Sequence, residues 1–193
     1  MDAASARRIG RGLAAYVRPT FLAPAAAMSL FGGALPGGVG GIDLFLADYY
    51  EDQQPIFYLF DKTEISDSVY YQFRNRSAFY NSLEVAADSL RRNGIDEKNI
   101  HTLNAHQFDL SELKQVDLCI SLISWAFHYP LDTYLEDVLR CLSEDGSLIL
   151  DFRRETGQLE TARRFFEDHQ FIKTTDKFHR VILRNPLKSK REE

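Results

Sequence analysis

Hydrophobic residues along this chain form short continuous runs that alternate with stretches of helical spacing. The continuous runs are typical of strands buried on both faces of a parallel sheet. They predict strands at Pro55–Asp61, Ile100–Ala105, Val116–Ile123 and Ser147–Phe152. Between and beside them the pattern predicts helices at Ile42–Tyr50, Ser82–Asn93, Asp132–Leu142 and Thr156–His169.

This order of elements predicts an α/β fold. Strands joined by helical crossovers form a Rossmann-like, doubly wound and mostly parallel sheet. The closing stretch Phe171–Arg184 predicts an antiparallel hairpin, which adds a C-terminal antiparallel strand to the sheet. Because no internal repeat or low-complexity linker interrupts the pattern, we expect one domain over residues 31–186. A basic, alanine-rich segment (residues 1–30) precedes it, and a charged tail (residues 187–193) follows.

The composition is ordinary for a globular domain and slightly acidic. The chain has 193 residues, enough for one domain with a full core, and a formal net charge of -5. Binding to a nucleic-acid backbone needs a basic footprint, so this charge argues against nucleic acid as the main partner. Cys119 and Cys141 form neither a metal-binding spacing nor a disulfide framework. We therefore expect no metal site and a reducing, cytoplasmic setting.

The N-terminal part of the chain bears on targeting. Residues 1–20 contain four arginines and a single acid, Asp2. This character fits an organelle transit peptide, but we favour a short amphipathic helix laid against the sheet. The uncharged stretch Pro19–Ile42 is long enough for a membrane span, although Pro24, Pro36 and six glycines interrupt it. We expect no membrane segment.

A glycine-rich turn, GGALPGGVGG, precedes the first predicted helix. Such a turn lets the backbone approach a ligand closely, and the N-terminus of the following helix offers N–H groups. The turn does not meet the G-x-G-x-x-G fingerprint, because the third position after Gly38 and Gly40 is Asp43. Glycine clusters are also common in plain loops, so the turn alone indicates little.

Polar residues end two of the predicted strands. Asp61 stands about twenty residues after the glycines, where a carboxylate accepts hydrogen bonds from the two hydroxyls of an adenosine ribose. The alternative is a turn or capping aspartate before Lys62. Asn104 and Ala105 end the next strand, where an amide beside a small residue would frame an adenine ring. Asparagine also ends many strands only because it favours turns.

The stretch from Val116 to Pro130 combines a buried strand with chemically active side chains. The carboxyl ends of such strands meet the crevice in which open α/β sheets bind ligands. Here that end carries the hydroxyl of Ser121, the rings of Trp125 and Tyr129, and the imidazole of His128. With an ordinary pKa of about 6.5, the imidazole is suited to take a proton from an acceptor hydroxyl. The alternatives are a core strand running into an aromatic-capped turn, and a packing or surface histidine.

The order of these features resembles that of class I S-adenosylmethionine-dependent methyltransferases. The resemblance covers roughly Phe31 to Asn185: a glycine turn, a strand-end acid, the NA dipeptide, the DLCIS strand and a closing hairpin. The stretches FYLFDKT, YNSLEVAADSLRRNGI and ISLISWAFHYPLDTYL further resemble bacterial proteins described as sugar O-methyltransferases. The broad family implies a seven-stranded sheet whose last strand is antiparallel.

The resemblance also implies roles for particular residues. Gly38 and Gly40 would contact the methyl donor S-adenosylmethionine, Asp61 its ribose, and Asn104 or Ala105 its adenine. The segment Ser121–Trp125 would border the methyl group and the acceptor, with Ser121 on the donor side.

The first motif of the family, acid-x-Gly-x-Gly-x-Gly, is degenerate here. The matching positions are Ala34, Pro36, Gly38 and Gly40, so the acid is absent and a proline replaces the first glycine. Proline fixes φ and removes a hydrogen-bond donor. The preceding Ala25–Leu30 is also a poor strand by composition. Either donor binding is weakened, or the start of the chain does not form an intact first strand.

Taken together, the sequence predicts a methyltransferase that uses S-adenosylmethionine to methylate an oxygen of a small-molecule or sugar acceptor. His128 is the candidate base, while Trp125, Tyr129 and the aromatic stretch Tyr70–Tyr80 would line the acceptor pocket. Two other functions stay open. A non-catalytic methyltransferase-like protein is favoured by the altered first motif, and a nicotinamide-dependent oxidoreductase would share Asp61 and the parallel sheet.

Overall fold

The computed structural model describes residues 26–30, 41–61 and 82–187. Its strands, in chain order, are β1 (Ala26–Leu30), β2 (Ile56–Asp61), β3 (Ile100–Asn104), β4 (Val116–Ser121), β5 (Ser124–Tyr129), β6 (Leu142–Arg153), β7 (Phe166–Thr174) and β8 (Phe178–Pro186). Its α-helices are α1 (Gly41–Tyr49), α2 (Leu83–Arg92), α3 (Leu135–Cys141) and α4 (Gln158–Arg163). Single 3-10 turns lie at Glu51–Gln53, Glu97–Asn99, Leu110–Glu112 and Leu131–Thr133. The glycines Gly38 and Gly40, the stretch Tyr70–Tyr80, residues 1–25 and the tail from residue 188 lie outside the described residues.

A seven-stranded sheet in the order β3-β2-β1-β4-β6-β8-β7 forms the centre of the molecule. Strands β3, β2, β1, β4 and β6 pair in parallel, whereas β8 is antiparallel to both β6 and β7. The predicted mostly parallel sheet with a C-terminal antiparallel strand is therefore confirmed. Strand order reverses between β1 and β4, which is where open α/β sheets form a ligand crevice. Strand β5 packs beside the sheet, against β6.

Strand β1 is present despite its poor strand composition. It pairs with β2 from Ala26–Ile56 to Leu30–Phe60, and its other edge pairs with β4. A central position with hydrogen bonds on both edges outweighs weak local propensity. The alternative that the chain lacks an intact first strand is therefore wrong. The strand also lies within residues 1–30, the segment that composition set apart from the domain.

Helix α2 follows its predicted pattern closely. The Ser82 hydroxyl caps its N-terminus by accepting the N–H of Glu84 at 3.1 Å. The four apolar residues at helical spacing, Leu83, Ala86, Ala87 and Leu90, are buried, whereas Val85 faces outward and is exposed. The helix stops before Gly94, whose φ of 87° favours glycine. Across residues 26–30, 41–61 and 82–187, no helix combines the length and apolar character needed to cross a lipid bilayer.

The predicted helix Thr156–His169 is wrong in its second half. Helix α4 ends at Arg163, and Phe166 already begins β7. The ladder between β7 and β8 runs from Phe166–Pro186 to Thr174–His179, so the last residues of the predicted helix bond across the hairpin instead. The predicted helix Asp132–Leu142 also begins later, at Leu135, because a 3-10 turn comes first.

Apolar residues form a core on each face of the sheet. One core packs α1 and α2 against the sheet through Leu46, Leu59 and Leu90. The other packs α3 and α4 against the opposite face and includes Trp125 and Leu139. Helices on both faces confirm the doubly wound arrangement and leave the carboxyl ends of the parallel strands at one edge of the sheet.

Candidate functional site

The carboxyl ends of β2 and β3 bring the predicted donor-binding residues together. Asp61 and Asn104 are direct neighbours in the parallel register, and the N–H of Ala105 donates to the backbone carbonyl of Asp61 at 2.9 Å. The Asp61 side chain is buried, with 3% of its surface exposed. The Asn104 side-chain oxygen accepts the N–H of His106 at 2.9 Å, which is the turn role considered as its alternative. The three residues thus form one polar corner at the crevice.

Strand β4 delivers Ser121 to the same edge, where its hydroxyl binds the chain that follows. Ser121 Oγ accepts the backbone N–H of Trp125 at 3.3 Å. The Ser124 hydroxyl lies 3.1 Å from the hydroxyl of Tyr129. Both serines are buried. The hydroxyls of Ser121 and Ser124 therefore hold the segment after β4 through hydrogen bonds to Trp125 and Tyr129.

The backbone after β4 is strained. Ile123 has a φ of 51° and Ala126 a φ of 64°, both in the left-handed region. A β-branched residue rarely adopts such a φ. Strained backbone persists only where the surroundings over-determine it, and such positions cluster at functional sites. The N–H of Ile123 donates to the Asp151 carboxylate at 3.1 Å, so β6 holds this turn.

An aromatic cluster lies below the polar corner. The Tyr134 ring is its centre, with ring centroids 5.4 Å from Phe60, 6.0 Å from Trp125 and 6.2 Å from Tyr129. Burial and the negative charge of Asp61 together raise the pKa of Tyr134 to about 12. Burial likewise raises the pKa of Tyr129, with a smaller contribution from the charge of Tyr134. The cluster therefore lies within the electrostatic reach of Asp61.

Trp125 and Tyr129 both lie inside the core. Trp125 has 0% of its surface exposed, and its indole N–H donates to the Leu131 carbonyl at 2.8 Å. Tyr129 is equally enclosed and is bonded to Ser124. Their burial matches the alternative of a core role, but the rings lie on a further strand, β5, rather than in a turn. Their role as walls of an acceptor pocket stays a prediction.

His128 lies on β5 and is half-buried. Its ring meets Phe127 edge-on, with centroids 4.8 Å apart. The Arg153 guanidinium covers the same phenylalanine at 5.6 Å from the ring centroid. His128 is the one partly exposed residue of β5. The other five residues of the strand are buried. Its role as a base stays a prediction.

A cavity of about 450 Å³ opens between the end of β5 and the start of α4. Its lining residues are Pro130, Leu131, Asp132, Thr156, Gly157, Gln158 and Thr161. Gln158 ties the two walls together, because its side-chain oxygen accepts the N–H of Leu131 at 2.5 Å and its nitrogen donates to the Ala126 carbonyl at 3.1 Å. The sequence pattern did not single out Gln158, which lies in a polar stretch without a motif.

A buried ion pair beside the crevice was also missed. The Arg180 fork donates to Asp151 through Nε at 2.7 Å and Nη2 at 2.8 Å. Asp151 is fully buried and Arg180 is 7% exposed. Burial raises the pKa of Asp151, and the bonds from Arg180 oppose that rise. The available signal was a charge within one apolar run, SLILDF, and a charge at the start of another, RVIL.

We expect the protein to lose stability at alkaline pH partly through Tyr134. Its pKa of about 12 exceeds the ordinary value of 10.0, so the unfolded chain releases this proton first. The stabilisation is complete below pH ~10 and is lost as the pH rises toward ~12. Urea unfolding at several pH values should show a shallower alkaline loss for Tyr134→Phe than for the wild type. Equal slopes would contradict the role of Tyr134.

Comparisons with known proteins show the fold. No protein-family model and no curated protein matches the chain. A solved structure from Nostoc punctiforme, described as a candidate O-methyltransferase, matches with a TM-score of 0.62 and 14% identity over 94% of this chain and 56% of that chain. A 16S rRNA methyltransferase from T. thermophilus, in complex with AdoMet and guanosine, matches with a TM-score of 0.53 and 14% identity over 93% of this chain and 39% of that chain.

An rRNA methylase from Streptococcus thermophilus matches with a TM-score of 0.53 and 13% identity, over 94% of this chain and 95% of that chain. The chain thus spans little more than half of the first of these proteins, less than half of the second, and nearly all of the third. Similarity at such low identity establishes architecture and leaves activity open. Its strand order and its similarity to these solved structures show that the chain has the fold of class I S-adenosylmethionine-dependent methyltransferases.

Proposed function

We propose that the protein transfers a methyl group from S-adenosylmethionine to a hydroxyl oxygen of a small, uncharged acceptor such as a sugar. The observation that carries the proposal is the polar corner of Asp61, Asn104 and Ala105. It stands at the carboxyl ends of β2 and β3, beside the point where strand order reverses in a sheet of methyltransferase topology.

The chemistry of this corner suits the proposed donor. A carboxylate only accepts hydrogen bonds, which matches the two hydroxyl donors of a ribose, and Asp61 is the carboxylate at the end of β2. Asn104 and Ala105 would hold the adenine, and Gly38, Gly40 and the Ser121 segment would complete the donor site. When bound, S-adenosylmethionine supplies an electrophilic methyl group on a sulfonium. One fold neighbour is named as a complex with AdoMet, which supports the assignment of the same donor here.

The cavity beside α4 supports a small acceptor. Its volume of about 450 Å³ lies within the ~300–1,000 Å³ of ordinary small-molecule sites. Asp132, Thr156 and Thr161 line it with a carboxylate and two hydroxyls, and none of its lining residues is lysine or arginine. Hydroxyl-rich, uncharged molecules suit such walls better than a phosphate backbone does. The net charge of -5 favours the same acceptor class.

His128 supplies the base in this proposal. Bound S-adenosylmethionine would supply the methyl carbon for in-line attack by the acceptor oxygen and would leave as its demethylated product, while the imidazole would take the hydroxyl proton. The partial exposure of His128 on β5 supports this role, because a base must meet the acceptor. Trp125 and Tyr129 would support the acceptor site from within the core rather than contact the acceptor with an exposed face.

Calorimetric titration tests the donor assignment. We expect the protein to bind S-adenosylmethionine and its demethylated product, and not NAD. Binding of NAD alone would overturn the proposal in favour of an oxidoreductase, and a folded protein that binds none of the three would overturn it outright.

The acceptor is tested with radiolabelled donor and two panels, methyl glycosides of common hexoses and short ribosomal RNA fragments. The RNA panel is included because two fold neighbours are named for rRNA. Transfer to a glycoside is expected. Transfer to RNA alone would overturn the acceptor class, and donor binding without transfer to either panel would favour the non-catalytic protein.

A further inference from the structure

The segment after β4 is strained at two residues that stand three apart. Ile123 and Ala126 both have left-handed φ values, 51° and 64°. Together they set the direction in which the chain leaves β4 and enters β5. We call Ser121–Ala126 the β4–β5 turn. Neither residue is a glycine, so local preference does not produce this conformation and neighbouring groups must hold it.

One of these groups is the Asp151 carboxylate. Its Oδ2 accepts the N–H of Ile123 at 3.1 Å, while Arg180 binds both carboxylate oxygens. Asp151 and Arg180 are direct partners in the antiparallel register of β6 and β8. A buried ion pair is often no more stabilising than an apolar pair of similar volume. An apolar pair, however, has no oriented acceptor for the N–H of Ile123.

The second group is the Gln158 side chain. It donates to the carbonyl of Ala126 at 3.1 Å and accepts the N–H of Leu131 at 2.5 Å. It therefore binds the backbone on both sides of the three ring-bearing residues Phe127–Tyr129. Gln158 also lines the cavity beside α4. The two strained residues are thus each held by a side chain from a different element.

We propose that Asp151, Arg180 and Gln158 are positioning residues that fix the β4–β5 turn for methyl transfer. The proposal rests on the proposed function for its catalytic consequence. It assigns no contact with the donor to the three residues and none with the acceptor to Asp151 and Arg180, whereas Gln158 also lines the cavity beside α4. The three residues act through the backbone of Ile123 and Ala126. Their loss therefore lowers the turnover number and leaves donor affinity nearly unchanged. Asp61 belongs to another strand, and Ser121, the residue of the turn assigned to the donor site, is fixed by its pairing with Leu150 in the ladder of β4 and β6.

The first experiment replaces the ion pair by apolar residues in the double variant Asp151→Leu/Arg180→Met. We expect the amide hydrogen of Ile123 to exchange at least tenfold faster. We also expect the turnover number with the glycoside panel to fall at least tenfold, while the dissociation constant of S-adenosylmethionine changes less than twofold. The control is Asp168→Leu/Arg184→Met, the same pair of substitutions at a more exposed ion pair of β7 and β8, 3.0 Å long, that lies outside the turn.

A second pair of variants covers the case in which the double variant fails to fold. Gln158→Met removes the bonds to Ala126 and Leu131 together with a third, from the side-chain nitrogen to the Thr156 hydroxyl. Gln158→Glu keeps the acceptor for Leu131 and loses the donor to Ala126. We expect slower turnover for both variants, since both lose the donor to Ala126, and unchanged donor affinity.

Unchanged exchange at Ile123 in the folded double variant would overturn the proposal. A parallel loss of donor affinity and turnover, or turnover equal to that of the control, would overturn it as well. Failure of the proposed function is seen separately, because the wild type would then neither bind the donor nor methylate a glycoside. In that case the exchange of the Ile123 amide hydrogen alone decides whether Asp151 and Arg180 hold the β4–β5 turn.

Discussion

Replacing Trp125 with alanine is expected to lower the free energy of unfolding by about 3–5 kcal/mol. The side chain is fully buried, its indole donates to the Leu131 carbonyl, and its ring packs against Tyr134. The substitution removes the largest enclosed side chain and takes the indole donor from the Leu131 carbonyl, which keeps the longer bond from the N–H of Tyr134 at 3.4 Å. Urea denaturation of both proteins measures the difference.

Trp125→Phe is the control for this prediction. It keeps an aromatic ring near Tyr134 and loses only part of the volume and the donor, so we expect a smaller loss, about 1–3 kcal/mol. If Trp125 instead acts mainly as a wall for the acceptor, the alanine variant will keep its stability and show a raised acceptor KM. That result would contradict the core assignment.

Replacing Asp61 with alanine is expected to weaken S-adenosylmethionine binding by about 10- to 150-fold. Hydrogen bonds to a charged group contribute about 1.5–3 kcal/mol, and each 1.4 kcal/mol is about tenfold in affinity. The backbone bond from Ala105 to the Asp61 carbonyl is independent of the side chain, so the pairing of β2 with the chain after β3 survives the change. Calorimetric titration measures the affinity, and thermal melting checks that the variant is folded.

Asp109→Ala is a matched control, because its carboxylate caps a 3-10 turn by accepting the N–H of Ser111 and lies outside the polar corner. Its donor affinity should equal that of the wild type. Asp61→Asn should fall between the wild type and the alanine variant, since one side-chain oxygen still accepts a hydrogen bond. Equal affinity of Asp61→Ala and the wild type would remove Asp61 from the ribose site.

The parallel strands β2, β3, β4 and β6 and helix α2 could be predicted because their signals are local. Apolar runs mark β2 and β4, and the four buried positions of α2 recur at helical spacing. Strand β1 and the start of β7 could not, because their extended form depends on partners far along the chain. Phe166 pairs with Pro186, and no sequence pattern near Phe166 predicts the β7–β8 ladder.

The candidate site likewise contains residues whose positions could be predicted from the sequence and residues whose positions could not. Asp61 and Asn104 could be placed side by side because each follows a parallel strand, and parallel strands end at one edge. The burial of Trp125 depends on packing by Tyr134 and on the Leu131 carbonyl, which a linear pattern does not show. The bond from Asp151 to Arg180 spans 29 residues and that from Gln158 to Ala126 spans 32, so both pairings are properties of the folded chain.

The position of β8 has a consequence for how the protein folds during synthesis. Among the described strands β8 comes last in the chain, yet it lies between β6 and β7. Until the ribosome has released it, one edge of the apolar strand β6 has no partner, and β7 has no place in the sheet. An open edge on a buried strand is a template for pairing with other chains. The nascent protein therefore passes through an aggregation-prone stage that ends only when β8 inserts, and β8 carries Arg180, the partner that neutralises Asp151.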